Sequence, residues 1–104
     1  MISIIIPTLN EEKYLPRLLE SIKSQTYKDY EVIVADSNSK DTTIDIAKKN
    51  GCMIVSGGNP SEGRNNGAIA ARGNILLFLD ADSEIDKKFL QKTTDEIETR
   101  NLDI

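Results

Sequence analysis

The sequence has no histidine and no tryptophan, and it contains a single cysteine, Cys52. Without histidine, the chain itself cannot supply a histidine general base, a His-ligated zinc site or a Ser-His-Asp triad. One cysteine cannot form an intramolecular disulfide, and its place in the apolar run CMIV favours a buried thiol over a reactive one. Any chemistry must therefore depend on carboxylates, amides, arginine and lysine.

Long apolar runs and an excess of basic residues are also missing. No apolar segment approaches the ~18 residues of a membrane span, and the start MISIIIP has no basic region and is interrupted at Pro7. We therefore expect no membrane span, no signal peptide and a cytoplasmic protein. The 13 basic and 17 acidic residues give a formal charge of -4, so no nucleic-acid footprint is predicted. A length of 104 residues predicts one domain, residues 1–104.

Four short apolar runs alternate with segments of helical periodicity. The runs are rich in β-branched residues or leucine and are mostly apolar on both faces, as in parallel strands that are covered on two sides. They occupy residues 2–6, 32–35, 52–55 and 75–79. The order β-α-β-α-β-α-β-α predicts an α/β fold with a mostly parallel sheet and helices on both faces. Ligands of such folds bind at the carboxyl ends of the strands, where the strand order reverses.

Capping residues predict where the first two helices begin and end. Asn10 is the expected N-cap of the first helix, with Glu11 and Glu12 in its first turn. The second helix is predicted over residues 41–50, and Gly51 is expected to stop it.

The third and fourth helices carry similar signals. Asn59 and Glu62 form a predicted capping box around Pro60, and Gly73 is expected to end that helix. The last helix is predicted over residues 86–99, after the fourth apolar run.

The fourth apolar run ends on Asp80 and Asp82, with one alanine between them. At this spacing the two carboxylates project to the same side of an extended chain. Oxygen ligands suit Mg²⁺ or Mn²⁺, which keep waters and combine one or two protein carboxylates with substrate phosphates. An exposed acidic turn explains the same pattern, so the pair alone leaves both interpretations open.

Polar residues also follow the first two predicted strands. Asp36 could accept hydrogen bonds from a base or a ribose, whereas an Asx-type turn is the alternative and helix capping is favoured for residues 37–39. Residues 7–11 could wrap a nucleotide base, or they could simply begin a helix.

The segment after the third strand is rich in glycine. Glycines 57, 58 and 63 permit a close approach of the backbone to a ligand, and Arg64 on the first turns of a helix suggests an anion site for a diphosphate. The alternative is a flexible loop with Arg64 in a surface ion pair. Neither the Walker motif nor G-x-G-x-x-G is present.

Taken together, the four segments resemble the N-terminal half of a family 2 glycosyltransferase with the GT-A fold. The resemblance is carried by SIIIPTLNEEKYL, SQTYKDYEVIVADSNSKDTT and GRNNGAIAARGNILLFLDADSEI, and it extends from Ile2 to about Leu90. It implies a Rossmann-like three-layer sandwich, truncated relative to the family. It also implies a nucleoside diphosphate sugar donor, UDP- or GDP-linked, and a divalent metal, Mg²⁺ or Mn²⁺, that neutralises the diphosphate leaving group.

The resemblance further implies roles for individual residues. Asp36 would pair with the base, and Arg64 would lie near the diphosphate or the base. Asp82 would bind the metal directly, and Asp80 would contact the ribose or a metal-bound water. Ser37 stands where many members carry a second acidic residue, which leaves the base preference open. The base and ribose would be lined by Pro7, Thr8, Leu9, Asn10 and Glu11.

Members of this family are usually at least twice as long, and their C-terminal half supplies the acceptor site and, in inverting enzymes, a carboxylate base. Asp95, Glu96 and Glu98 are predicted to form the solvated face of the last helix, so the base is expected outside this chain. Two hypotheses follow: sugar transfer to an unknown acceptor, or a non-catalytic nucleotide-sugar-binding module or partner subunit. An uncovered half-domain surface would favour a homo-oligomer. A nucleotidyltransferase is disfavoured because no G-x-G-x-R-like loop follows the first strand.

Overall fold

A four-stranded parallel sheet forms the centre of the computed structural model, which describes residues 1–99. The strand order is β3-β2-β1-β4, and Ile5 of β1 lies opposite Ile33 of β2 and Phe78 of β4. The predicted α/β fold with a parallel sheet is therefore confirmed. Residues 100–104 of the predicted domain lie outside the described part. The elements are β1 (Ile2–Thr8), α1 (Leu15–Lys23), β2 (Tyr30–Asp36), α2 (Thr43–Lys49), β3 (Met53–Ser56), α3 (Pro60–Ala70), β4 (Ile75–Phe78) and α4 (Phe89–Thr99).

Helices cover both faces of the sheet, as predicted, because side chains alternate along each strand. On one face, Ile4 and Ile6 belong to a buried apolar cluster with residues of α1, α2 and α4, including Leu18 and Leu90. On the other face, Ile5 packs against α3. The sheet is therefore the middle layer of three. Within residues 1–99, no helix is long and apolar enough to cross a bilayer.

The prediction that Asn10 caps α1 is wrong. Helix α1 begins at Leu15, its N-cap Tyr14 makes no side-chain cap hydrogen bond, and its first turn contains no acidic residue. Asn10 instead has a positive φ of 53°, and its Oδ1 accepts a hydrogen bond from the Lys40 amide. Glu12 accepts hydrogen bonds from the amide and hydroxyl of Thr42, the N-cap of α2. Asn10 and Glu12 therefore make tertiary hydrogen bonds with the loop after β2 and do not cap α1.

The predicted stop of α2 at Gly51 is confirmed. Gly51 has a φ of 74°, its amide donates to the Lys48 carbonyl, and the Cys52 amide donates to the Ala47 carbonyl. This pair of hydrogen bonds is a Schellman motif, which requires a left-handed residue at the position of Gly51. Cys52 is half-buried, and desolvation raises the pKa of its thiol to about 11. A thiol of this kind is unreactive at neutral pH.

The capping box of α3 is confirmed, but its end is not. The Asn59 side chain accepts from the Glu62 amide, and the Glu62 carboxylate accepts from the Asn59 amide. The helix ends at Ala70, before Gly73. Gly73 lies where the chain passes the start of β1, and a Cβ added to it would stand 2.6 Å from the Met1 carbonyl oxygen. Close packing, not helix termination, accounts for this glycine.

The strand order reverses at β1. The chain moves outward from β1 through β2 to β3, and it then crosses back over the sheet through α3 to place β4 on the other side of β1. In folds of this class, ligands bind outside the strand ends at such a point. The carboxyl ends of all four strands lie at this same edge, because the sheet is parallel.

Candidate functional site

A cavity of about 420 Å³ lies at the carboxyl ends of β1, β2 and β3, between these strand ends and the beginning of α3. Four of the predicted site residues line it, whereas Asn10, Asp36, Arg64, Asp80 and Asp82 do not. Five of the other seven lining residues come from the glycine-rich segment 57–63, which leads into the first turn of α3. The cavity is lined by Pro7, Thr8, Leu9, Glu11, Ala35, Ser37, Gly57, Gly58, Asn59, Pro60 and Gly63.

Asp36 is buried behind the cavity wall, with 6% of its surface exposed. Its Oδ1 accepts 2.6 Å hydrogen bonds from the hydroxyls of Thr8 and Ser39, and its Oδ2 accepts a 2.9 Å bond from the Ser39 amide. A carboxylate oxygen offers about two lone pairs, so Oδ1 is saturated and Oδ2 retains one acceptor position. The turn formed with Ser39 is the alternative that the sequence left open. A base contact by Asp36 stays a prediction, and it is restricted to Oδ2.

The loop after β1 is tied to the loop after β2 by a series of hydrogen bonds. The Ser37 amide donates to the Thr8 carbonyl at 3.0 Å, and the Glu11 amide donates to the Thr43 hydroxyl at 2.8 Å. The Asn10 amide donates to the Ser39 hydroxyl at 2.8 Å. These bonds hold the first wall of the cavity against the end of β2.

Ser37 connects the ends of β2 and β3. Its hydroxyl donates a 2.6 Å hydrogen bond to the Gly58 carbonyl, and the Gly57 amide donates a 2.7 Å bond to the Asp36 carbonyl. A Cβ added to Gly57 would lie 2.5 Å from the Ser37 Oγ. Gly57 therefore permits contact between two loops of the protein itself. The pattern of residues 37–39 favours helix capping and does not place Ser37 in the cavity wall, although the family resemblance gives this position a bearing on the base preference.

Arg64 lies on the first turns of α3, next to Gly63 of the cavity wall, and its side chain is exposed. Its guanidinium makes no hydrogen bond or ion pair with any residue in the range 1–99, so the alternative of a surface ion pair does not hold there. The helix N-terminus already carries the carboxylate of Glu62 in the capping box. Arg64, and not the helix end, therefore offers a cationic group to an anion on this side of the cavity.

Asp80 and Asp82 follow β4, and both are exposed. The alanine between them, Ala81, is 4% exposed and belongs to the core cluster. The hydroxyl and amide of Ser83 donate to the Asp80 carbonyl and close the turn. Because the intervening side chain is buried in the core, both carboxylates are left at the surface. This arrangement explains why an apolar strand ends on two aspartates.

Glu11 links the acidic pair to the cavity. Burial raises the pKa of Glu11, and the negative charges of Asp82, Asp41 and Asp80 raise it further. The loops after β1 and β4 therefore carry carboxylates whose charges act on one another at the point where the strand order reverses. Within residues 1–99, no three His, Cys, Asp or Glu side chains are grouped so that they could hold a metal alone. Asp80 and Asp82 fit Mg²⁺ or Mn²⁺ with the remaining positions filled by water and phosphate oxygens.

A second cavity, of about 260 Å³, lies at the opposite ends of the strands. Its charged groups pair with one another, because the Glu31 carboxylate accepts hydrogen bonds from the Arg72 amide and guanidinium and from the Ser3 hydroxyl. This cavity has no charged group left without a partner among its described residues, and it is remote from the acidic pair.

The sequence profile of the family described as Glycosyl transferase family 2 matches residues 3–104. The chain belongs to this family. Over its full length it is 32% identical to the uncharacterized glycosyltransferase EpsJ of Bacillus subtilis, of which it covers 32%. It also covers 20% of TarS of Staphylococcus aureus, a poly(ribitol-phosphate) beta-N-acetylglucosaminyltransferase, at 32% identity. The chain thus spans a third or less of these relatives.

Solved structures of the family have the same fold. A crystal structure of S. aureus TarS superposes with a TM-score of 0.88 at 32% identity, covering 96% of this chain and 20% of the TarS chain. Glucosyl-3-phosphoglycerate synthase of Mycobacterium tuberculosis, in complex with Mn²⁺ and UDP, superposes with a TM-score of 0.66 at 29% identity and covers 81% and 35% of the two chains. The predicted GT-A fold is therefore confirmed.

Proposed function

We propose that this chain binds the nucleoside diphosphate sugar of a glycosyl transfer, and that Asp80 and Asp82 would hold Mg²⁺ or Mn²⁺ for the donor diphosphate. The observation that carries the proposal is the convergence of the loops after β1, β2 and β3 on one cavity, with Asp80 and Asp82 at the end of the neighbouring strand β4, where burial and their charges raise the pKa of the wall residue Glu11. The cavity takes the base and ribose. Arg64 and the metal hold the diphosphate, and Asp82 is the direct metal ligand.

The relatives favour a uridine nucleotide. TarS has been crystallised with UDP and with UDP-GlcNAc, and the mycobacterial synthase with UDP and Mn²⁺. We extend this chemistry to the present chain because its cavity and acidic pair occupy the strand ends of the same fold. GDP remains the second candidate nucleotide, since Ser37 stands at the position where many family members carry an acidic residue. The proposal concerns the nucleotide of the donor and does not extend to the donor sugar or the acceptor.

In this assignment, the metal supplies Lewis-acid stabilisation of the leaving diphosphate when it is bound. Arg64 neutralises diphosphate charge from the side of α3, and Asp80 contacts the ribose or a metal-bound water. The carboxylates of Asp95 and Glu98 are exposed on α4 and are assigned to its solvated face. We place the base that activates the acceptor outside this chain, which leaves two candidate functions: complete transfer, or donor binding as a module. A cytoplasmic location stays a prediction.

Calorimetry of the 104-residue chain with UDP and with GDP, each with and without Mn²⁺, tests the proposal. We expect UDP to bind more tightly in the presence of Mn²⁺. Absence of binding to either nucleotide under both metal conditions would rule the proposal out. Release of sugar from a labelled UDP-sugar in the same sample separates the two candidates, because turnover by this chain contradicts the binding-module alternative.

We also propose that two copies of the chain associate through β4. Leu76 and Phe78 are 43% and 42% exposed, and both are on the face of the sheet that α3 packs against. Within residues 1–99, β4 pairs only with β1, so its outer edge presents unpaired backbone groups. Light scattering should give a dimer mass for the wild type and a monomer mass for Phe78→Asp. A monomeric wild type at high concentration would contradict this proposal.

A further inference from the structure

The two loops that flank the cavity are joined through Asn10 and Ser39. The Asn10 amide donates to the Ser39 Oγ at 2.8 Å, and the Asn10 Oδ1 accepts a 2.8 Å bond from the Lys40 amide. The Ser39 hydroxyl donates its single proton to the Asp36 Oδ1 at 2.6 Å. Its lone pairs are therefore free to accept from Asn10, and the direction of each hydrogen bond is determined.

These hydrogen bonds hold the backbone of Asn10 in a conformation that is otherwise unfavourable. Its φ of 53° lies in the left-handed region, where residues other than glycine are strained, although asparagine tolerates it best. Such residues persist where their surroundings impose the conformation, and they cluster at functional sites. Helix α1 begins at Leu15, and its first backbone hydrogen bond reaches back to the Glu11 carbonyl, not to Asn10. The conformation of Asn10 is instead held by Ser39 and Lys40.

The neighbours of Asn10 face the cavity, but Asn10 does not. Leu9 and Glu11 both line it, and Leu9 is 55% exposed. The direction of both side chains depends on the turn between them. We propose that Asn10 and Ser39 are positioning residues, which hold Leu9 and Glu11 at the cavity wall before the nucleotide arrives. This inference rests on the proposed function of the cavity, and it assigns Asn10 a role different from direct contact with base or ribose.

These hydrogen bonds are expected to raise the nucleotide affinity by ordering the loop after β1 before binding. A loop that must be ordered when the ligand binds lowers the affinity, and a loop that is already ordered does not. Removing the Ser39 hydroxyl leaves the Asn10 amide without its acceptor and Asp36 with one donor fewer. The bond to the Asn10 amide is the one that holds the loop, and the loss of one hydrogen bond of ordinary strength corresponds to a weakening of about three- to tenfold in affinity.

The test compares Ser39→Ala with Ser39→Thr, which keeps a hydroxyl at the same position. Ser24→Ala is the matched control, because it also removes a serine hydroxyl bond, to the Glu20 carbonyl at the end of α1. UDP affinity in Mn²⁺ is measured by calorimetry, and amide hydrogen exchange is measured at positions 9–11 without ligand. We expect Ser39→Ala to weaken UDP about three- to tenfold and to accelerate exchange at these amides. Ser39→Thr should keep the wild-type UDP affinity and amide exchange, and Ser24→Ala should change neither quantity.

Variants of Asn10 provide a second test if Ser39→Ala fails to fold. Glycine at position 10 allows the left-handed backbone conformation but has no side-chain acceptor for the Lys40 amide. Alanine disfavours this conformation and also lacks the acceptor. The inference predicts UDP affinity in the order Asn10, Gly, Ala. If the wild type binds UDP and the variants show the same UDP affinity and the same amide exchange, the inference alone is overturned. A wild type that binds neither UDP nor GDP would overturn the proposed function, and the positioning role in nucleotide binding with it.

Discussion

Gly67 of α3 lies directly over Ile5 of β1, and a Cβ added at position 67 would stand 2.5 Å from the Ile5 Cγ2. One turn earlier, a Cβ added to Gly63 would stand 2.9 Å from the Gly57 carbonyl oxygen. Two glycines on the same side of α3 therefore allow the helix to approach the sheet closely. The same approach brings the beginning of α3 against the strand ends that form the cavity.

We expect Gly67→Ala to destabilise the protein, although alanine is the better helix former. The added methyl group must displace Ile5 in a packed core, which costs about 1–3 kcal/mol, while the gain in helix propensity is about 1 kcal/mol. Urea unfolding measures the net loss. In the double variant Gly67→Ala with Ile5→Ala, the costs should not add, because the clash is removed. Full additivity of the two losses would contradict direct contact.

The acidic pair leads to a prediction about metal dependence. Asp82→Ala should remove the increase in UDP affinity that Mn²⁺ causes, because the direct metal ligand is lost. Asp80→Asn should reduce this increase without removing it. Asp95→Ala is the control, since this exposed aspartate lies on α4 and interacts with Gln91. Calorimetry with and without Mn²⁺ makes the comparison. A metal effect that survives Asp82→Ala would show that the metal is bound elsewhere.

The strands and their order along the chain were predictable because parallel strands covered on two sides are mostly apolar, as residues 2–6 and 32–35 are. The capping box at Asn59 was predictable because both of its partners are local in sequence. Asn10 was misjudged as a helix cap, since its partners Ser39 and Lys40 belong to the next loop and tertiary hydrogen bonds override the local signal. The saturation of Asp36 Oδ1 by Thr8 likewise depends on strand pairing.

Glu11 should make stability depend on pH in a defined direction. Burial and the charges of Asp82, Asp41 and Asp80 raise the pKa of Glu11 in the folded protein. The folded state then binds the proton more tightly than the unfolded chain, so ionised Glu11 lowers stability at neutral pH. The loss begins as pH rises through the ordinary glutamate pKa of 4.5 and is complete above the raised value.

We therefore expect Glu11→Gln to be more stable than the wild type at pH 7 and equally stable at about pH 3, where both side chains are neutral. Urea unfolding across this pH range provides the measurement. Glu20→Gln, on the exposed surface of α1, is the control and should not alter the pH dependence. A Glu11→Gln variant that is less stable at pH 7 would mean that the carboxylate is stabilised by a partner.

The final prediction separates the two roles that the family resemblance leaves open for Arg64, contact with the diphosphate or with the base. Its guanidinium has no partner within residues 1–99, so it is available to a ligand without breaking an existing pair. If it binds the diphosphate, Arg64→Ala should weaken UDP by about ten- to a hundredfold, the equivalent of one charged hydrogen bond of about 1.5–3 kcal/mol. Uridine, which has no phosphate, should bind both forms equally.

The control for this experiment is Arg17→Ala. Arg17 lies on α1, and its Nε is 3.8 Å from the Glu84 carboxylate in an exposed pair of little energetic weight. Replacing Arg17 with alanine should change neither the affinity for UDP nor the affinity for uridine. If Arg64→Ala weakens UDP and uridine by the same factor, the guanidinium contacts the base and not the diphosphate. In that case the metal held by Asp82 would be the main counter-charge for the leaving group, and UDP binding should depend more steeply on Mn²⁺ concentration than on ionic strength.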